Sequence, residues 1–329
     1  MEISAFDENA APFSAEATLD TDEVDTLVSD AYARLARIFR RTESDIRSYA
    51  EKLMTAREIR KFLEETIMAR AGEHVLASVC PLFVGTPNME ATSNFSEHAP
   101  FSFRVTAHPL PAMSLDMETR IARHRRKKPH LADGQTDVRF ADGDATENLA
   151  SDTHAEDETA KMPASAAHAA NEAETAPSFE KPEKKDSIDD GEFVAETLRA
   201  RLGGIIPDAL LRDALARKKE RFLAELGEKG LTYREYRIAH GMKPQDVQDA
   251  LYDEAFNELS RDIALDTVFV EQNLTVSQDD ESAILTDMAP GREESLLAEL
   301  DATGKRWMLE QKARRAVALR WAVEHLLTE

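Results

Sequence analysis

The residues that could do chemistry in this chain are many, but they are not gathered into a reactive pattern. The nine histidines are scattered. No His, Cys, Asp or Glu set falls at the spacing a tetrahedral metal site needs. There is no glycine-rich loop to cradle a phosphate and no nucleophile-elbow sequence. Cys80 stands in the apolar run from Val75 to Val84, just before Pro81, where a thiol reads as buried and inert. The 63 Asp and Glu residues are interspersed with 41 Lys and Arg, the pattern of solvated helix faces. Gly203-Gly204 reads as a helix break rather than a hinge. No catalytic residue, no metal and no cofactor are expected.

One charge run remains: Arg120, Arg123, His124, Arg125, Arg126, Lys127 and Lys128. It reads either as a contact for RNA or an acidic partner, or as a solvated block opening a tether. The net charge of −22 and a pI near 4.9 exclude general binding to DNA or RNA phosphates, which needs clustered cations. A single cysteine forbids an intramolecular disulfide. No apolar run approaches the roughly 18 residues of a bilayer span, so no membrane insertion is expected. The N-terminus MEISAFDENAAPF is acidic and lacks the layout of a secretory signal, so the cytoplasm is the simplest location.

Whatever these residues do, they must be positioned by two segments separated by one that cannot fold alone. Between Glu118 and Gly191 the only aromatics are Phe140 and Phe179, and Ala, Asp, Glu, Thr, Ser and Pro dominate. Such a stretch buries too little apolar surface to offset chain entropy and is expected to be a disordered, acidic, Ala-rich linker. Three parts follow: an α+β domain over 1–117, the linker over 118–191, and a mostly α-helical domain over 192–329.

In the first part, Ile3 and Ala5, then Phe13, Ala15, Ala17 and Leu19, alternate with polar residues as half-buried strands do. The stretch DENAAP connects them. Thr21 or Asp22 is the N-cap expected for a helix carrying Val24, Leu27, Val28, Ala31, Leu35 and Ile38. A second helical pattern runs from Ile46 through Leu53 and Ile59 to Ile67. The run from Val75 to Val84 reads as a helix end broken at Pro81 or as a buried strand, and Pro87 marks a turn. Phe101, Phe103, Val105 and Ala107 predict a strand ending near Pro109.

The last part reads as helices without strands. They are expected over Glu192–Leu202, from Pro207 to Gly227 or Gly230, and over a short segment after Thr232. Further helices are expected from Pro244 to about Asn273, Thr275 to about Asp287, Arg292 to Leu300, and Gly304 to Leu327. The longest carries the stripe Val247, Leu251, Ala255, Leu259 and Ile263.

Particular runs in both ends resemble the bacterial trigger factor family. In the C-terminal part these are Ile206-Pro207-Asp208-Ala209-Leu210-Leu211, Gly230-Leu231 through Tyr236, Asp253-Glu254-Ala255 through Val268, and Leu274-Thr275-Val276-Ser277. In the N-terminal part they are Tyr32-Ala33-Arg34-Leu35-Ala36, Gly85-Thr86-Pro87 and Phe101 to Val105, which are similar to elements of the family's ribosome-binding domain. The family's docking loop is a Gly-Phe-Arg-x-Gly-Lys type. Here Ile38 to Asp45 aligns with it and keeps Phe39, Arg40 and Arg41, the docking candidates, but not the glycines, while Glu43 and Asp45 add negative charge. The family usually carries an FKBP-like prolyl isomerase domain between these ends. The linker occupies that place without residues for an aromatic pocket, so isomerase activity, implied by the family alone, is expected to be absent.

The resemblance implies an ATP-independent chaperone, a holdase for nascent or unfolded polypeptides in protein folding and protein transport, with the ribosome as a further partner. The mechanism would be non-directional burial of client segments on apolar helical surface. Met242, Leu285, Met288, Leu296, Leu297 and Met308 are the client-facing candidates, and for each the competing reading is ordinary core. The rival reading is a scaffold on the same fold that binds one dedicated partner.

Overall fold

The structure is a computed structural model, and it describes residues 1–4, 12–42, 44–122 and 190–328. Residues 123–189 of the expected linker, which include Arg123 to Lys128 of the basic run, Ala5 with most of DENAAP, and Glu43 lie outside the described residues, whereas Asp190 and Gly191, counted as linker, lie in a helix.

The N-terminal region is an α/β layer of four strands and three helices: β1 (Glu2–Ser4), β2 (Phe13–Leu19), α1 (Thr21–Phe39), α2 (Ile46–Leu53), α3 (Ala56–Val79), β3 (Phe83–Ala91) and β4 (Phe101–Pro109). The sheet order is β1-β2-β4-β3, antiparallel throughout. Alternation placed the sheet correctly: Phe13, Ala15, Ala17 and Leu19 face the same core as Phe101, Phe103, Val105 and Ala107. The helix α3 closes that core with Leu63, Ile67 and Val75. Each fully buried side chain of this size contributes about 1.5–3 kcal/mol. Cys80 is buried at the end of α3, and burial pushes its thiol pKa up.

Local signals shifted the expected boundaries in three places. The N-cap of α1 is Asp20, not Thr21 or Asp22: its carboxylate accepts from Glu23 N, and Glu23 accepts in return from Asp20 N, both at 2.9 Å. The second helical pattern is two helices, because Thr55 starts a new capping box with Glu58. Pro87 is no turn. It lies in the edge strand β3, at a bulge where the register with β4 shifts between Val84 and Asn88, the setting in which a sheet tolerates proline.

After β4 the chain passes through β5 (Ser114–Leu115) and β6 (Ile121–Ala122). The C-terminal region then runs α4 (Asp190–Arg201), β7 (Leu202–Gly203), α5 (Asp208–Glu228), α6 (Tyr233–His240), α7 (Pro244–Glu271), α8 (Gln278–Met288), α9 (Glu293–Ala302), α10 (Arg306–Leu326) and β8 (Leu327–Thr328). Two short strands thus appear where none was expected. β7 pairs with β5, and β8 with β6, contacts between distant segments that no local period encodes. Ile121 is buried, and the Arg201 guanidinium donates to the carbonyls of Asp116, Thr119 and Arg120 at 3.3, 2.6 and 3.3 Å. Residues 118–122, counted as linker by composition, are therefore held against the helical region. Its core is formed by α4, α5, α7 and α10 around Leu198, Leu210, Ile263 and Ala318, and a small satellite core holds Leu285, Leu300 and Leu309.

Candidate functional site

The helices α5 and α6 form an arm whose root is buried and whose outer part is not. At the root, Leu210 and Leu211 pack into the helical core beside Val84 of β3. Further along α5 the single buried residue is Leu226, and α6 buries none. The short helix α6 is nonetheless well defined. Thr232 caps it by accepting from Glu235 N at 3.2 Å, and Gly241 ends it in the left-handed conformation. It is held to α5 by an aromatic contact, with Phe222 edge-on to Tyr233 at 6.5 Å and to Tyr236 at 5.0 Å. Leu223, Leu231 and Ile238 stay exposed on this arm, Ile238 by 67%. Three aliphatic side chains in water on one small arm are a surface able to bury a partner's apolar residues.

The sequence candidates fall elsewhere. Met242 is half-buried in the turn between α6 and α7. Leu285 is buried in the satellite core, and Leu296 and Leu297 pack against it. Met288 and Met308 are half-buried. Apart from Met242, these residues cluster around α8, α9 and α10, away from the arm. Leu223, Leu231 and Ile238 were missed as surface because periodicity counts an apolar residue toward a core without showing what covers it. The signal was there: in YREYRIAH the aromatic pair Tyr233 and Tyr236 accounts for the face that packs on α5, and Ile238 falls off that face.

The second candidate surface is the tip joining α1 and α2. Arg40 ends α1 at φ 51° and ψ 49°, the left-handed region that glycine usually fills at this position. Arg41 N donates to Ala36 O at 2.8 Å and closes the turn. Phe39 meets Tyr49 edge-on at 5.7 Å, and the Arg41 guanidinium lies over the same ring at 4.5 Å. Arg41 is thereby tied to α2, whereas Arg40 and its neighbour Ile38 are exposed.

The two regions are joined through β3 and α10. Gln311 Nε2 donates to Phe83 O and Gly85 O, each at 3.2 Å, and Arg314 Nη2 donates to Phe83 O at 3.4 Å. These side chains occupy outward carbonyls of an edge strand, which would otherwise be open to pairing. Trp307 lies 5.7 Å from Phe83, and His108 Nε2 meets Asp213 Oδ2 at 2.8 Å. Gly304 has φ +61°, and a Cβ there would stand 2.2 Å from Ala69 O. Behind this seam Arg314 and Arg315 bind Asp266, and Arg315 also binds Asp262. Burial pushes the Asp262 carboxyl up, against the pull of Arg315. Burial also raises Glu73, whose Oε1 has no partner, while the Arg306 backbone N–H works against that shift. Asp280, by contrast, is lowered to about 2 by hydrogen bonds from Ser277 and Arg320.

Neither of the best-formed hollows lies on the helical region. One, of about 350 Å³, is lined by Arg60, Glu64 and residues Ala91 to Phe95, and the other, of about 270 Å³, by Arg57, Arg60, Lys61 and Glu64. The exposed large aliphatics of the C-terminal region are Leu223, Leu231 and Ile238 on the arm, with Ile205 and Val270 elsewhere, among the described residues. Among the described residues no His, Cys, Asp or Glu group could hold a metal ion, and no helix is long and apolar enough to cross a membrane.

Residues 190–324 match the family described as bacterial trigger factor protein C-terminus. The C-terminal helical region is thus similar to that family's, and the match supports a trigger-factor-like chaperone role in general terms. No curated protein and no solved structure matches the chain.

Proposed function

We propose that the chain is an ATP-independent holdase that shields apolar segments of nascent or unfolded polypeptides on the α5–α6 arm, in the cytoplasm. The observation that supports this most is the exposure of Leu223, Leu231 and Ile238 on an arm within the family-matched region. Apolar burial is worth about 25 cal/mol per Å² before ordering costs, so a few aliphatic contacts give weak and reversible holding without nucleotide hydrolysis. The decisive experiment is suppression of aggregation of a chemically denatured client at stoichiometric ratio. The full chain suppresses it, and Leu223→Ser/Ile238→Ser loses most of the effect with an unchanged melting temperature. No suppression by the unaltered chain would rule the reading out.

The tip of α1 carries a second proposed role, docking on the ribosome through Phe39, Arg40 and Arg41. Its support is the left-handed turn at Arg40, kept without glycine, which leaves Arg40 and Ile38 facing solvent. A scaffold bound to one dedicated partner is the rival outcome: in-cell crosslinking would then yield one dominant species instead of a spread of clients.

A further inference from the structure

We infer that the segment entering the helical region, Leu110 to Met117, is a built-in strap over a peptide-binding surface. The outside occupant of that surface is an extended polypeptide segment with an aliphatic or methionine side chain at every second residue. The inference rests on the reading that the chain holds unfolded polypeptides. It adds a second holding surface, distinct from the arm and covered by the chain itself.

Along the strap, Met113, Leu115 and Met117 are half-buried while Ala112, Ser114 and Asp116 are exposed, the alternation of an extended chain lying on one face. The three inward side chains, with Leu110, pack on the core that holds Val194, Leu198 and Val268. The backbone is gripped as well. Ser114 and Leu115 pair antiparallel with Gly203 and Leu202, and the Arg201 guanidinium gathers the carbonyls of Asp116, Thr119 and Arg120. Backbone pairing joined to contacts for alternate side chains is how a peptide is bound by strand addition. These backbone bonds read no side chain, so another extended segment offers the same groups. The bare backbone of Gly203 and Gly204 permits the approach. A Cβ at Gly203 would stand 2.8 Å from Ser114 Oγ, and one at Gly204 2.9 Å from Met113 Sδ. The glycine pair thus has a use beyond breaking a helix.

The strap is held loosely enough to be exchanged. Its ladder with β7 is two residues long, and no residue from Leu110 to Met117 is buried. The firm anchor comes after it, where Ile121 is buried and pairs with Leu327. The two regions do not depend on the strap to stay together, because Gln311 and Arg314 bind the carbonyls of β3 and His108 binds Asp213. Release of the strap therefore leaves both of its ends fixed, one at Pro109 of β4 and the other at Ile121.

The test uses the full chain and a fluorescein-labelled peptide with the sequence of residues 110–118, read by fluorescence anisotropy. A strap tethered at both ends competes at an effective concentration in the millimolar range, so the unaltered chain binds the peptide weakly. Met113→Ser/Leu115→Ser/Met117→Ser weakens the strap and leaves the surface beneath it unaltered. This released chain binds the peptide about 10-fold tighter or more. A peptide of the same composition, with its two methionines and its second leucine moved to adjacent positions, binds several-fold more weakly. Adding Arg201→Ala to the released chain lowers the affinity, whereas adding Leu223→Ser/Ile238→Ser does not. If a melting curve shows the released chain unfolded, hydrogen exchange of the unaltered chain decides: excess peptide speeds exchange at Ser114 to Met117. Equal binding by the released and unaltered chains, indifference to the order of the peptide, loss of binding with the arm substitutions, or bound peptide with no faster exchange in the strap would overturn the inference. Aggregation suppression tests the holding reading and this titration tests the strap, so failure of one is told apart from failure of the other.

Discussion

Arg314 Nε donates to Asp266 Oδ1 at 2.9 Å while the same guanidinium donates through Nη2 to Phe83 O. One side chain therefore joins α10 to α7 within the helical region and to β3 across the seam. Both partners are buried, and Asp266 takes a second guanidinium from Arg315 at 3.0 Å. Without Arg314, Asp266 keeps only the Arg315 guanidinium and loses the donor to Oδ1, at a cost of about 1–3 kcal/mol for a buried charged acceptor left partly unsatisfied. Arg314→Ala is expected to lower stability by about that amount and to increase protease sensitivity around β3. Urea denaturation and limited proteolysis check this. A loss of stability with no change at β3 would mean that the bond to Phe83 plays no part in holding the seam.

Gly304 lies at the other end of that seam. Its φ of +61° already disfavours a side chain, and the added Cβ would meet Ala69 backbone at 2.2 Å, where no flexible group can yield. Gly304→Ala is expected to cost about 2–4 kcal/mol. In a Trp321→Phe background, Trp307 emission should also shift to the red as its contact with Phe83 loosens.

Glu73 gives a pH signature. Burial raises its folded pKa above the ordinary 4.5. The ionised form is thus penalised in the folded state, fully so above the folded pKa and not at all below 4.5. Glu73→Gln keeps an acceptor for the Arg306 N–H and removes the charge. The variant should be more stable than the parent at pH 8, and the difference should close as pH falls toward 4.5 and below. Melting curves across that range read it directly.

At the α1 tip, Arg40 holds a left-handed conformation that a β-carbon resists. Arg40→Gly should raise stability by about 1 kcal/mol, the relieved strain less the entropy that glycine gives the unfolded chain. Arg40→Ala retains the strain and loses the exposed cation, so it should reduce cosedimentation with ribosomes if the tip docks there. Separate measurements of stability and cosedimentation distinguish the two effects.

Much of this architecture was legible residue by residue. The alternation at Phe13–Leu19 and Phe101–Ala107 reports one buried face directly, and Pro207, Thr232 and Pro244 mark helix starts to within a residue or two. What stayed hidden depends on partners far along the chain. The pairing of Ile121 with Leu327 draws residues 118–122 out of a stretch whose composition reads as linker. Pro87 reads as a turn because nothing local reveals that β3 is an edge strand with a bulge. The same limit governs the site. Leu285 and Leu223 look alike as helical aliphatics, yet the first packs with Leu300 and Leu309 at 6% exposure and the second stays 43% exposed.

The central claim is that clients meet the arm rather than the α8–α10 cluster. The most direct measurement places a photo-crosslinking residue at Ile238 in one variant and at Leu297 in another, and exposes each to the same unfolded client. Strong crosslinking from position 238 and little from 297 is the predicted result. Crosslinking from 297 with none from 238 would contradict it and return the client surface to the residues around the satellite core.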